Sequence, residues 1–478
     1  MTAGASQTQL DREVLRPFRP MLWLVAAAVF MQMLDTTIVN TALPSMAVDL
    51  GQPPLRMQSV VVAYALTVAM LIPASGWLAD RLGTRQLFTG AIVLFTAGSL
   101  ACALSPDLDT LVASRVLQGI GGAMLLPVGR LAVLRAVPRT AFLAAMSFVT
   151  VPGLIGPLIG PALGGWLADA ASWHWIFLIN LPLGIVGAFA AMKWMPDLRA
   201  PVSRFDLPGY AMLAFGMIAI SLSVEALSGH AARHAALVVV LVTGVAALVA
   251  YWLHAARALA PLFPLTLFRT RSFSVGLLGN LFARLGSSGM PYMIPLLLQV
   301  ALGFPPTQAG LMMIPVALAG MFSKRIVTPL VRRFGYRNVL VVNTVLTGLT
   351  MASFALVDVG QPTWLHVLQF AVFGAVNSLQ FTAMNTLALR DLGGPEASAG
   401  NSLLSMVMML AMSLGVATAG GLLGAFSGEQ ADAAPVLSAF RWTFVCIGAL
   451  TLASATIFAQ LGRTHRIPER VVDTSEQN

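Results

Sequence analysis

Runs of about twenty predominantly apolar residues recur from Met21 to Leu461, separated by short charged or Gly/Pro-bearing connections, and this restricts the chain more than any other feature. A run of that length is what a helix needs to cross a bilayer core of about 30 Å at about 1.5 Å per residue. Inside lipid every backbone N–H and C=O must be paired within its own segment, so the spans are expected to be all helical. The runs fall at 21–42, 57–78, 87–104, 110–131, 141–166 and 173–192, then 208–227 and 233–254, then 272–301, 306–326, 338–357, 364–388, 397–426 and 440–461. This predicts fourteen spans: a block of six, a pair, and a second block of six. Only 10% of the 478 residues are charged and 57% are hydrophobic, against roughly 25% charged in soluble domains, which leaves no room for a water-soluble enzyme domain.

Lys and Arg fall on alternate connections: Arg12, Arg16 and Arg19; Arg81 and Arg85; Arg135 and Arg139; Lys193, Arg199 and Arg204; Arg257, Arg269 and Arg271. A further cluster lies at Lys324, Arg325, Arg332, Arg333 and Arg337, and Arg463, Arg466 and Arg470 follow the last span. By the positive-inside rule both termini are cytoplasmic, which agrees with an even span count. The net charge of +9 is therefore topological and gives no support to nucleic-acid binding. The first apolar run is too long for a signal peptide and lacks a small-residue cleavage site, so it is read as retained. Cys102 and Cys446 each sit in an apolar run, a packing role, and the six histidines lack metal-ligand spacing, so no metal is expected.

An internal repeat supports this partition. GWLADRLGTRQL starts at Gly76 between spans 2 and 3, and TPLVRRFGYRNV starts at Thr328 between spans 10 and 11. The offset exceeds by roughly 60 residues what two adjacent six-span blocks need, about the length of an inserted helical hairpin. The expected organisation is a tail (1–20), a six-helix bundle (21–195), an inserted hairpin of spans 7 and 8 (205–256), a second six-helix bundle (270–462) and a cytoplasmic tail (463–478).

Four stretches carry chemistry: LDTTIVNTALP at 34–44, GWLADRLGTR at 76–85, RVLQGIGGAMLLPVGR at 115–130 and GLIGPLIGPALGG at 153–165. On them the chain resembles the fourteen-span drug:proton antiporters of the major facilitator superfamily, closest to the multidrug exporters among them, over its whole length apart from the tails. The resemblance implies an all-α polytopic fold of two six-helix bundles plus an inserted two-helix hairpin, in a plasma membrane of the bacterial inner-membrane kind. It also implies export driven by the proton gradient without any cofactor. A periplasmic adaptor and outer-membrane channel are partners that the residues themselves do not indicate.

Within GWLADRLGTR, Gly76 and Gly83 permit a tight connection that presents Asp80 beside Arg81 and Arg85. In similar transporters the acid at this place holds the two halves together on the cytoplasmic side. The second copy has Arg332 in place of Asp80, so such a latch is asymmetric; a plain topology-setting loop is the other reading. In span 5, Gly156, Gly160 and Gly164 recur every four residues, with Pro157, Pro161 and Gly165 interleaved, a smooth face for close helix approach with bending points. By resemblance this is the antiporter signature.

Asp35 is a carboxylate well inside span 1, about 12 Å below its outer end, and Arg115 in span 4 lies roughly 8 Å below the same surface. Similar depths predict a pair or one shared wet cavity, because an unpartnered charge in the membrane is costly. Two readings stand: Asp35 as proton carrier modulated by Arg115, or a permanent structural ion pair. Gln32, Thr36 and Asn40 follow the same face of span 1 and predict a polar lining.

In span 9, Asn280, Arg284, Ser288 and Tyr292 recur every four residues in a helix interrupted by Gly286, Gly289, Pro291 and Pro295. Broken spans commonly line substrate sites near the midplane. With no evident acidic partner in the second half's spans, Arg284 faces an anionic substrate, or is satisfied by helix carbonyls or by Asp35 across the cavity. Asn377 and Gln380 in span 12 and Asn401 in span 13 are weaker lining candidates, and Glu225 at the end of span 7 reads as exposed.

No nucleophile–base set, paired acids or cofactor loop marks an enzyme, and no phosphate-binding loop marks ATP use. The lipid bilayer, protons and a small molecule are the expected partners. One acid against two arginines in the core also suits a carboxylate or metal-carboxylate chelate such as citrate, and a non-transporting membrane sensor on the same scaffold is the alternative of another class.

Overall fold

In the computed structural model the apolar runs fold as helices, with no strand among the described residues, which are 13–201, 204–226, 234–427 and 433–462. The terminal basic residues Arg12, Arg463, Arg466 and Arg470 lie outside them. The first eight helices are α1 (Arg19–Asp49), α2 (Gln58–Leu82), α3 (Thr84–Ala103), α4 (Leu108–Ala136), α5 (Phe142–Ala170), α6 (Asn180–Trp194), α7 (Leu207–Ala226) and α8 (His234–Ala255). They are followed by α9 (Arg271–Ser287), α10 (Ile314–Ser353), α11 (Thr363–Arg390), α12 (Gly394–Ser427) and α13 (Ala433–Ala459).

Among the described residues, twelve helices are long and apolar enough to cross a membrane, where the sequence predicts fourteen. Two expected spans run together as the 51-residue segment Pro306–Leu356, which turns at Gly335 (φ 77°, ψ 158°). The expected span 272–301 is divided into α9, the short helix Met290–Leu296 and a π-helical turn, Leu297–Ala301. The division has a local cause: Pro291 and Pro295 bring no N–H to the helical ladder.

The repeat is visible in the backbone. Gly83 (φ 90°) and Gly335 (φ 77°) occupy the left-handed region that a side chain opposes, at matching places in the two copies. The arginine two residues on behaves alike in both: Arg85 Nε donates to Met195 O (2.6 Å) just past α6, and Arg337 Nε donates to Ala459 O (3.1 Å) at the end of α13.

The cores show how the two halves of the chain meet. At the end of the bundle that carries Asp49, one apolar core is shared: Ile38, Val60 and Phe177 pack in the same cluster as Met293, Phe354 and Phe440. At the end that carries Gly83 and Gly335 there are two separate cores, one built on Val25, Phe88 and Val133 and one on Val327, Leu340 and Leu387. The halves therefore close on each other at one end and part at the other. Polar contacts crossing the closed end include Gln299 Nε2 to Thr41 O (2.8 Å) and Thr307 Oγ1 to Asp169 Oδ2 (2.8 Å).

The hairpin α7–α8 packs where α2 meets α12: Leu213, Met217 and Tyr251 join a cluster with Leu66, Leu404 and Met406. Ser221 and Ser413 hydroxyls meet at 3.0 Å in that seam. Asp206 ties the hairpin's ends, accepting from Gly209 N (3.0 Å) and Leu262 N (3.1 Å) and pairing with His254 Nε2 (2.7 Å). Glu225, expected to be exposed, is half-buried near the end of α7.

Candidate functional site

The structure brings Asp35 and Arg115 together. Arg115 Nη1 lies 2.7 Å from Asp35 Oδ2, with the side chains 1% and 0% exposed. Gln118 Nε2 (2.8 Å) and Asn180 Nδ2 (3.2 Å) donate to the other oxygen, Asp35 Oδ1. Both amides also donate to Ser99 Oγ, at 2.8 and 3.3 Å. Arg115 is held in turn by Gln118 Oε1 (2.5 Å) and Val60 O (3.2 Å) and lies over the Tyr64 ring, 4.4 Å from its centroid. Helices α1, α2, α3, α4 and α6 thus converge on one charge pair. Every group reaching the carboxylate is a donor, which is the arrangement an ionised acid requires.

Sequence reasoning missed Gln118, Asn180, Ser99 and Tyr64. Gln118 had a signal, since a residue three after Arg115 in a helix shares its face. Asn180 had a weaker one, as a lone amide in an apolar span, and Tyr64 had none.

The expected lining on α1 is partly turned inward. Gln32 Nε2 donates to Gly122 O (2.9 Å), while Thr36 Oγ1 and Asn40 Nδ2 bond carbonyls of their own helix, Met33 O (2.9 Å) and Thr36 O (3.2 Å). Three hydroxyls and amides at four-residue spacing made a stripe in sequence, but back-bonding to the preceding turn satisfies two of them locally.

The glycines of the span 5 motif sit against α1. A Cβ at Gly156 would lie 2.7 Å from Leu34 N, one at Gly160 would strike Thr37 Oγ1, and one at Gly164 would strike Ile38 O. Thr41 Oγ1 crosses the same contact to Pro161 O (3.0 Å). On its other side the motif meets the second half at the closed end, with Gly165 against Pro306 O and Gly310 against Pro161 O. In lipid no hydrophobic force pulls helices together, so such backbone approach is the means of tight association.

The stretch 76–85 makes its contacts inside the first half. Asp80 Oδ1 pairs with Arg135 Nη2 at the end of α4 (2.5 Å), and Arg81 lies over Trp77. Thr84 and Arg85 hook the segment after α6, with Thr84 Oγ1 donating to Pro196 O (2.6 Å). A Cβ at Gly76 would meet nothing within 4 Å. Among the described residues Asp80 makes no ion pair with the second half in this conformation, in which the two cores are separate at this end.

The span 9 stripe is divided. Arg284 Nε donates to Asn280 Oδ1 (3.1 Å), and its guanidinium lies 3.7 Å from the Phe381 ring centroid. Among the described residues its side chain makes one hydrogen bond, that to Asn280, and no ion pair, so neither Asp35 nor a helix carbonyl holds it. Tyr292, by contrast, is buried in the shared core of the closed end, beyond the break after Ser288. Gln380 is drawn away from Arg284, accepting from Asn343 Nδ2 (2.8 Å) and donating to Thr344 Oγ1 (2.6 Å). Asn377 keeps an unpartnered Oδ1, and Asn401 is half-buried. No set of three or more His, Cys, Asp or Glu able to hold a metal occurs among the described residues.

Two helical sets hinged at one closed end around buried charge are the architecture of a membrane transporter. The chain belongs to the Major Facilitator Superfamily, whose family model matches residues 25–416 and 276–477. It is 54% identical over 442 residues to a multidrug resistance protein MdtD of Serratia proteamaculans, covering 92% of this chain and 93% of the relative. It is 51% identical over 444 residues to its namesake in Escherichia coli, covering 92% and 94%. Among solved structures it resembles a POT family transporter (TM-score 0.68, 18% identity, 91% and 94% covered) and a D-xylose-proton symporter (TM-score 0.67, 14% identity, 95% and 98% covered). At those identities the likeness is one of fold.

Proposed function

We propose that the protein is a proton-coupled exporter, a drug:proton antiporter that moves small molecules out of the cytoplasm by alternating access. The MdtD relatives, more than half identical over most of both chains, support multidrug export. The observation that carries proton coupling is the sealed Asp35–Arg115 pair. Two bundles, 21–195 and 270–462, rock about the cleft, with hairpin 205–256 inserted, fourteen crossings in all, and both tails on the cytoplasmic side of the bacterial inner membrane. In this orientation the closed end is the outer one, and the conformation is inward-facing.

The pair then has a definite place in the cycle. While the outer end is shut, three donors occupy the carboxylate oxygens, so a proton reaches Asp35 only when the cluster opens. Opening to the outside exposes Asp35 to the more acidic compartment. Protonation releases Arg115, and reclosure expels the proton inward as the pair reforms. Asp80, paired within its own half in the inward-facing state, is free to change partner when the cytoplasmic ends approach. No cofactor enters the cycle; the gradient supplies the energy.

The test is proton flux in everted vesicles. Lipophilic cations should alkalinise the acidified lumen, and Asp35→Asn should abolish the response; undiminished flux in that variant would end the coupling role. One observation favours a second reading, the unpaired Arg284 fork, which suits a carboxylate or its metal chelate. Flux elicited by citrate-like anions alone, and lost in Arg284→Gln, would select it.

A further inference from the structure

The N-terminal half of α1 carries a groove of about 960 Å³ that the transport cycle does not use. It runs between α1 and the antiparallel α6, with Trp23 and Ala27 on one wall and Leu183 and Val186 on the other. Arg19 and Trp194 stand together at one end, and exposed Lys193 lies over the Trp194 ring, 5.5 Å from its centroid. Neither Arg19 nor Lys193 has an ion-pair partner among the described residues, and no acidic side chain lines the groove. From Trp194 back to Ile179 its α6 wall extends about 22 Å, somewhat more than the roughly 15 Å depth of one leaflet's hydrocarbon. The inner end is continuous with a small notch, sharing Leu24, Ala27 and Leu183, that ends on Met31, one residue before Gln32.

We propose that this groove is a binding site for one anionic phospholipid, its phosphate on Arg19 and Lys193 and an acyl chain along α1 and α6. Three features agree on that occupant. The wall is apolar over leaflet depth, as a chain requires. The two cations sit at one end only, where a headgroup lies. Trp23 and Trp194 flank that end, the usual level of membrane-interface tryptophans. Charge distinguishes the site from generic lipid contact, since unpaired Lys and Arg at the membrane surface favour an anionic headgroup by about fivefold each. Because the notch abuts α1 one turn before Asp35, on the same face of the helix, a seated chain braces the segment that carries the acid.

The experiment is native mass spectrometry of the full chain in detergent, titrated with phosphatidylglycerol or phosphatidylethanolamine of identical acyl chains. Expected is at least a tenfold preference for the first phosphatidylglycerol bound, abolished in Arg19→Gln/Lys193→Gln and retained in Arg19→Lys. Gly187→Phe should weaken both lipids, because a side chain there meets only Ile92 at van der Waals distance and otherwise projects into the groove. Equal binding of the two lipids by the unaltered protein would overturn the proposal. So would a preference undisturbed by the double charge substitution, which would place the anionic lipid elsewhere, or unchanged binding in Gly187→Phe. A groove closed by a second copy of the chain would show as a dimer that displaces the lipid, and would overturn it equally.

Discussion

The two halves share a backbone plan and treat their intramembrane charge in opposite ways: it is sealed in the first and half-buried in the second. In the first, Asp35 and Arg115 neutralise each other, and Gln118, Asn180, Ser99 and Val60 O take up hydrogen bonds around them, leaving both side chains out of solvent. In the second, Arg284 has only Asn280 and the face of Phe381, while the amides nearby, Asn343 and Gln380, satisfy each other. A sealed pair can change only by opening, which suits a gated proton. An arginine with an unengaged fork can accept something from outside, which suits a ligand. One backbone plan thus carries two different charge environments.

That contrast can be broken most forcefully at Arg115. Arg115→Leu leaves Asp35 buried and unpaired, and should cost about 3–5 kcal/mol of stability, read as a large fall in melting temperature in detergent. Adding Asp35→Asn should restore most of that loss; if the single variant melted like the unaltered protein, the pocket would not be sealed. Phe381→Leu tests the second half and should cost about 1 kcal/mol by removing the ring beneath the guanidinium. A loss as large as at Arg115 would make Arg284 structural. Asp80→Asn breaks a pair whose members are 26% and 25% exposed, so less than about 1 kcal/mol should be lost. Spin-label distances across the end that carries Gly83 and Gly335 should nevertheless shift toward the open population. The smallest net effect is expected of Arg284→Gln, because relief of a half-buried charge without an ion-pair partner offsets the loss of its contacts with Phe381 and Asn280 and leaves melting little changed. A drop of several degrees there would show that an acid reaches Arg284 in another conformation.

Much of this was legible in the chain. Spans showed in hydropathy because transfer into lipid acts residue by residue, and the partnership of Asp35 with Arg115 followed from matched depth on two spans running in opposite directions. The repeat located Gly83 and Gly335, and both have the same strained backbone. Illegible were the partners brought by other helices. Tyr64 and Asn180 reach the pair only because α2 and α6 rotate those faces inward, and Tyr292 leaves the Arg284 stripe because the helix breaks after Ser288. The place of hairpin α7–α8 over the α2–α12 seam had no sequence signal either, since a linker's length says nothing of where its helices dock.

The amino-acid sequence by itself therefore determined that this is a bundle of membrane helices with an intramembrane acid–base pair, a duplicated tight turn and a glycine face on span 5. Each of these depends on local quantities: transfer cost per residue, helical rise, and the left-handed backbone that glycine tolerates. Only the tertiary structure decided which end is closed, that Asp80 pairs with Arg135, and that the buried Arg115 is neutralised while the half-buried Arg284 is not. Those outcomes depend on the rotation and tilt of every helix against its neighbours. In lipid, where no hydrophobic force favours one helix pair over another, rotation and tilt are set by the close fit of the whole bundle.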